Sequence, residues 1–114
     1  MQGNAYVRER IPQSLAAGQV ADSVGTIFTA TGPTVLTAFT LYQSSATPQT
    51  INVYVTRSGG SRRQLFRFAA VAQYVTSVVL SEGEVLSLSS GDIVEADTTT
   101  AAVVDYYLSG DVLA

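Results

Sequence analysis

The 114 residues include no cysteine, histidine, lysine or tryptophan. Each absence removes some chemistry. Without cysteine there is no disulfide framework and no thiolate metal site. Without histidine the usual proton shuttle and the commonest metal ligand are missing. With neither histidine nor lysine, a serine or threonine nucleophile lacks its usual activating base. Charge is scarce too: 13% of residues carry it, where about 25% is ordinary. All six cations are arginine and the net charge is −3, so the basic face that marks nucleic-acid binders is not expected. No apolar run approaches the ~20 residues of a membrane helix. Pro12, Gln13, Gly18, Gln19 and Asp22 break up the stretch after Arg8 and Arg10, so it does not read as a signal peptide.

Hydroxyls take the place of charge: 25 residues are Ser or Thr. A monomer so sparsely charged would be a poor colloid. Much of the surface is therefore expected to lie against other subunits or partners.

The remaining pattern is that of strands and tight turns. Leu80 to Asp97 reads strand end, turn, strand, turn, strand, with Glu82-Gly83 and Ser90-Gly91-Asp92 at the turns. Gly reaches positive φ without a steric penalty, and Ser and Asp bond their own backbone in turns. Ile51, Val53 and Val55 alternate with Thr50, Asn52, Tyr54 and Thr56, which gives one apolar and one polar face. Further strands are expected at Thr26–Thr29, Thr34–Gln43, Gln64–Ala70, Tyr74–Leu80, Glu84–Ser89, Ile93–Asp97 and Val103–Ser109. In Thr34–Gln43, Val35, Thr37, Phe39 and Leu41 share one face and Leu36, Ala38, Thr40 and Tyr42 the other, so both faces carry apolar groups. That suits a central strand whose second face lies at an interface. Ala69 to Gln73 is expected to hold a bulge or a crossover. About eight short strands with regular turn signals predict an all-β, antiparallel, jelly-roll-like β-sandwich over residues 26–114.

Residues 1–25 have no sustained period and are read as an extended N-terminal arm, with a weak helical turn over Ser14–Ala21 capped by Ser14. Because the strand pattern starts near Thr26, the sandwich is not expected to need the arm. Its candidate contact residues are Tyr6, Val7, Arg8, Arg10 and Ile11. Arginine suits interfaces through its planar donors.

The candidate sites are few. Glu95 and Asp97 share a strand face about 7 Å apart, a separation that glycoside hydrolysis tolerates. The plainer reading is two solvated charges on an edge strand. A calcium ion could use Asp92, Glu95 or Asp97 together with loop carbonyls, but the spacing matches no calcium loop. Tyr42, Tyr54, Tyr106 and Tyr107 could be stacking platforms for a glycan. Arg62, Arg63 and Arg67 with Phe66 and Phe68 form a basic–aromatic strip, read as strand packing with arginines that snorkel or pair with acids. No catalytic residue, metal or cofactor is expected.

The order TIFTATGPTVLTAFTLYQ, polar loop, INVYVTRSGG, VTSVVLSEGEVLSLSSGDIVEADTTTAAVVDYYLSG resembles that of small β-sandwich virion proteins of tailed bacteriophages. The shared motifs are V-x-L, x-x-G-E and L-x-L over Val78–Leu88, the G-D turn and strand over Gly91–Ala96, and the closing S-G of Leu108–Gly110. The resemblance covers about residues 26 to 113. It implies a non-enzymatic virion protein, assembled in the host cytoplasm. It would be a capsid decoration (cement) protein, or alternatively a tail, baseplate or receptor-binding module. The partners implied are the major capsid protein or other virion proteins, together with a homotrimer of the chain itself; neither nucleic acid nor membrane is among them.

Overall fold

The computed structural model describes residues 10–113. Nine strands and no helix are found among them: β1 (Arg10–Gln19), β2 (Gly25–Thr29), β3 (Thr34–Gln43), β4 (Gln49–Thr56), β5 (Arg62–Val71), β6 (Thr76–Leu80), β7 (Leu86–Leu88), β8 (Ile93–Thr98) and β9 (Val104–Leu113). They form two antiparallel sheets packed together as a β-sandwich. The first has the order β1-β9-β3-β6, with β7 pairing the start of β3. The second has the order β2-β8-β4-β5. Only the β4–β5 and β6–β7 connections stay within one sheet.

Alternating apolar positions fill the space between the sheets. Leu36, Phe39, Leu41, Val104 and Leu108 come from the first sheet and Ile51, Val53, Val55, Val94 and Ala96 from the second, all buried. The alternation expected in β4 is present from Gln49 to Thr56. In β9, Val104 and Leu108 are buried and Tyr106 half-buried, on the inner face. The β3 phase differs from the expected one. Leu36 and Phe39 both point inward because the ladder to β9 skips Thr37, pairing Leu36 with Gly110 and Ala38 with Ser109. A bulge of this kind shifts the side-chain phase by one residue. At the end of β5, the expected bulge and crossover are both present. The ladder to β4 shifts near Ala70, whose φ is 49°, and the chain then passes to the first sheet.

Residues 10–25 do not remain apart from the sandwich. Residues 1–9, with Tyr6, Val7 and Arg8, lie outside the described residues. Arg10 opens β1 opposite Leu113, and β1 pairs with β9 as far as Gln19 opposite Asp105. The helical turn expected over Ser14–Ala21 is a strand instead. The long edge of β9 offers a row of backbone partners, and β1 has only marginal helix propensity of its own to set against them. Val20, 1% exposed, belongs to the core. Its N–H donates to the Val104 carbonyl at 2.9 Å.

Two buried glutamines hold the loop between β3 and β4. Gln43 Nε2 donates to the carbonyls of Ser45, Thr47 and Val71, and Gln43 Oε1 accepts the Ser45 N–H. Gln49 Nε2 donates to the Thr47 carbonyl and Thr100 Oγ1, while its Oε1 accepts Thr98 Oγ1 and the Thr100 N–H. Replacing Gln49 by leucine would take this partner from the Thr98 and Thr100 hydroxyls and the Thr100 N–H, while the Thr47 carbonyl would keep only Gln43 Nε2. A loss of about 2–3 kcal/mol is expected, readable as a lower urea midpoint with an unchanged m-value.

Candidate functional site

The outer face of the second sheet gathers the polar side chains of three adjacent strands. β4 presents Asn52, Tyr54 and Thr56 because Ile51, Val53 and Val55 turn inward. Across the ladder, Glu95 stands opposite Tyr54 and Asp97 opposite Asn52. Arg62 of β5 stands opposite Thr56. Arg62 Nε and Nη2 donate to Glu95 Oε1 and Oε2 at 3.2 and 3.1 Å. Thr56 Oγ1 donates to Glu95 Oε1 at 2.7 Å. Asn52 Nδ2 donates to Asp97 Oδ1 at 2.8 Å, and Tyr54 Oη to Asp97 Oδ2 at 3.4 Å. The Arg62 guanidinium lies 5.7 Å from the Tyr54 ring centroid.

Glu95 and Asp97 are thus neither solvated nor on an edge. β8 lies between β2 and β4, and both carboxylates accept hydrogen bonds from its neighbours. Arg62, and then Thr56, hold the Glu95 carboxyl below its ordinary pKa. Burial, and then the Asp97 carboxylate, push the Tyr54 hydroxyl upward. A glycosidase acid needs the opposite shift, a carboxyl held protonated. The pair has the geometry of a brace that joins β5 and β4 to β8.

Asp92 braces the next corner. Its carboxylate accepts N–H groups from Ser89 at 2.9 Å and Ser58 at 2.8 Å, and Arg57 Nη1 at 2.8 Å. Arg57 Nη1 also donates to the Ser87 carbonyl. The start of the β4–β5 turn is thereby fastened to the β7–β8 turn. These donors, the Ser89 and Ser58 backbone first, lower the Asp92 pKa to about 2. Asp92 therefore takes up its proton less readily when folded than when unfolded, where the value is near 3.9. Its contribution to stability is complete above that value and is lost as pH falls toward about 2. Between pH 4.5 and 2 the melting temperature is expected to fall, and Asp92→Asn should flatten that slope while lowering stability at pH 7. A wild-type slope equal to the variant's would show that the carboxylate is not held in this way. Asp92, Glu95 and Asp97 do not converge, and the described residues contain no group of three potential metal-ligating side chains of the His, Cys, Asp and Glu types.

The outer face of the first sheet is the reverse, almost without charge. Thr40 stands opposite Val78 on one side and Tyr107 on the other. Tyr42 stands opposite Thr76 and Asp105, which makes Tyr42 and Tyr107 diagonal neighbours on adjoining strands. Tyr42 is 39% exposed, Tyr107 44% and Val78 48%. Ala17 of β1 extends the face beyond Tyr107; Asp105, bonded to Gln19, and Asp111, opposite Val35, are the carboxylates that β9 places on this face. Thr34–Gln43 is a central strand, and the apolar second face expected for it is this surface, although it is carried by β6 and β9 as much as by β3. The four tyrosines are not brought together. Tyr54 lies on the other sheet, and Tyr106, opposite Leu41, turns inward against Gly18.

No family model, curated protein or solved structure matches the chain.

Of the candidate contact residues in the arm, Ile11 is exposed on β1, opposite Val112. In the basic–aromatic strip, Phe66 and Phe68 stack at 6.1 Å and pack against the core. The two buried glutamines and the Asp92 brace had no signal in the sequence beyond Ser- and Thr-rich neighbours and a Gly-Asp turn.

Proposed function

We propose that the protein is a non-enzymatic structural component of a phage virion, a capsid decoration protein that works through surface contact rather than chemistry. The observation that carries this reading is the outer face of the first sheet. A surface of Thr40, Tyr42, Val78, Tyr107 and Ala17, with Asp105 beside Tyr42 and Asp111 further along the same face of β9, has the composition of an interface core: tyrosine-rich, apolar and poor in charge. The carboxylates that chemistry would need are engaged in braces between strands. The strand order also supports the reading. With β6 and β7 both against β3, the two sheets hold eight strand positions, which supports reading the sandwich as jelly-roll-like, an architecture frequent in viral capsids.

In this reading the tyrosine face makes the contacts of a homotrimer, and residues 1–9 together with the exposed Ile11 of β1 reach the major capsid protein. Each contact is modest, but many copies on one shell act together. Immunogold labelling of virions that carry the gene tests the proposal: gold on heads supports it, and unlabelled particles overturn it. Gold on tails would select the tail or baseplate role instead. One observation favours a second reading, a glycan-binding module: the diagonal pair Tyr42 and Tyr107 forms a two-ring platform. Glycan-array binding that is lost in Tyr107→Ala would select it.

A further inference from the structure

On one side of the sandwich the two sheets are not closed by a strand. β5 ends the second sheet and β6 with β7 ends the first, and among the described residues neither has a partner on its outer edge. A cleft of about 350 Å³ lies between them. Leu65 and Phe66 form one wall, and Val79, Leu80, Val85 and Leu86 the other. The one carboxylate in the lining, Glu84, is turned back on its own turn, where Oε1 accepts the Ser81 N–H at 2.7 Å.

Leu65 is aimed into the cleft by a bulge. The β4–β5 ladder pairs Tyr54 with Gln64 and Val53 with Phe66, leaving Leu65 unpaired between them. Bulges re-aim side chains in this way. Leu65 remains 40% exposed and Val85, across the cleft, 55%. The charges along β5 divide sharply. Arg62 is committed to Glu95. The side chains of Arg63 and Arg67, which flank Leu65, make no hydrogen bond or ion pair among the described residues. Arg67, opposite Asn52, belongs to the outer face; Arg63, opposite the inward-facing Val55, is exposed two residues before Leu65 on the edge strand.

We propose that this cleft docks an extended acidic segment of a partner protein, which adds to the second sheet as a strand along the free edge of β5. Strand addition satisfies the unpaired backbone of an edge, and alternate side chains then read the flanking pockets. Here one set of alternate residues is aliphatic and enters between Leu65 and Val85. The other set carries carboxylates that meet Arg67, with a further carboxylate at Arg63. A second copy of β5 does not suit the edge, because arginines would then face arginines, a guard against self-pairing. Single-stranded nucleic acid is disfavoured for a different reason: Phe66 and Phe68 are packed against the core instead of offered to bases. The inference concerns the chemistry of the partner and does not rest on the virion reading.

The test is panning of a displayed library of random twelve-residue peptides on the folded full-length protein. The expected result is enrichment of peptides that alternate aliphatic with Asp or Glu. A synthetic copy of an enriched peptide should bind at least tenfold more weakly to Val85→Arg, to Leu65→Asp and to the pair Arg63→Glu, Arg67→Glu. These residues are exposed, so melting curves of the variants should match the wild type and separate lost binding from lost folding. Peptides without an acidic excess, peptides that bind all variants equally, or a panning without enrichment would each overturn the proposal. So would concentration-dependent NMR shifts at Leu65 and Val85 without peptide, since the occupant would then be a second copy.

Discussion

Gly110→Ala is expected to destabilise the protein by about 3 kcal/mol or more, at the upper end of what overpacking costs. Gly110 lies in β9, opposite Leu36 of β3 and Gln13 of β1. A Cβ there would sit 2.2 Å from the Val35 carbonyl oxygen and 2.9 Å from Leu36 Cα. Both are backbone atoms, so no side-chain rotation relieves the clash. The approach is this close beside the bulge at Thr37, where β3 bends over β9. Relief requires the two central strands of the first sheet to part, which weakens their ladder and the packing of Phe39 and Leu108 beneath it. Against a total stability of about 5–15 kcal/mol, the melting temperature should fall by more than roughly 10 °C. Gly32→Ala is the control. Nothing lies within 4 Å of a Cβ at Gly32, and a change within about 0.5 kcal/mol is expected. A Gly110→Ala protein that melts with the wild type would show that β3 and β9 do not approach as described.

Truncation has the second large effect, and it depends on where the cut falls. Removing residues 1–9 keeps all nine described strands in the chain. Removing residues 1–22 takes away β1 and Val20. The full length of β9 then becomes an open edge, and the Val104 and Thr98 backbones lose their bonds to Val20 and Ala21. Burial of Val20 alone is worth about 1.5–2 kcal/mol, and the half-buried Leu15 and Ala16 add to it. The shorter chain is expected to aggregate or to melt without cooperativity. A residue 23–114 protein that unfolds cooperatively close to the wild-type temperature would instead make β1 a dispensable arm, as its sequence suggests.

The difference between sequence and structure over residues 10–20 has a physical cause. RIPQSLAAGQ contains Pro12, Gly18 and two alanines, all depleted in strands. It becomes a strand because β9 is long enough to pair with it, a tertiary effect that local composition does not register. β4 was legible because three β-branched residues alternate with polar ones and the strand lies inside a sheet. β3 was legible as a strand but not in its phase, since the bulge at Thr37 depends on its partner strand. Among the sites, the braces at Asp92 and Glu95 required knowing which turns and strands meet. Glu95 and Arg62 are 33 residues apart, and Arg57 and Asp92 are 35. The cleft was hidden for the same reason: Leu65 belongs to the second sheet and Val85 to the β6–β7 connection of the first.

Sedimentation equilibrium at micromolar concentration tests most directly the claim that this is an assembly module working through the tyrosine face. The wild type is expected at three times the 12.0 kDa chain mass. Tyr107→Arg combined with Val78→Asp should sediment as a monomer with its melting curve intact, because both side chains are exposed. A wild-type protein that stays at 12.0 kDa throughout, or a double variant that remains as associated as the wild type, would contradict the account.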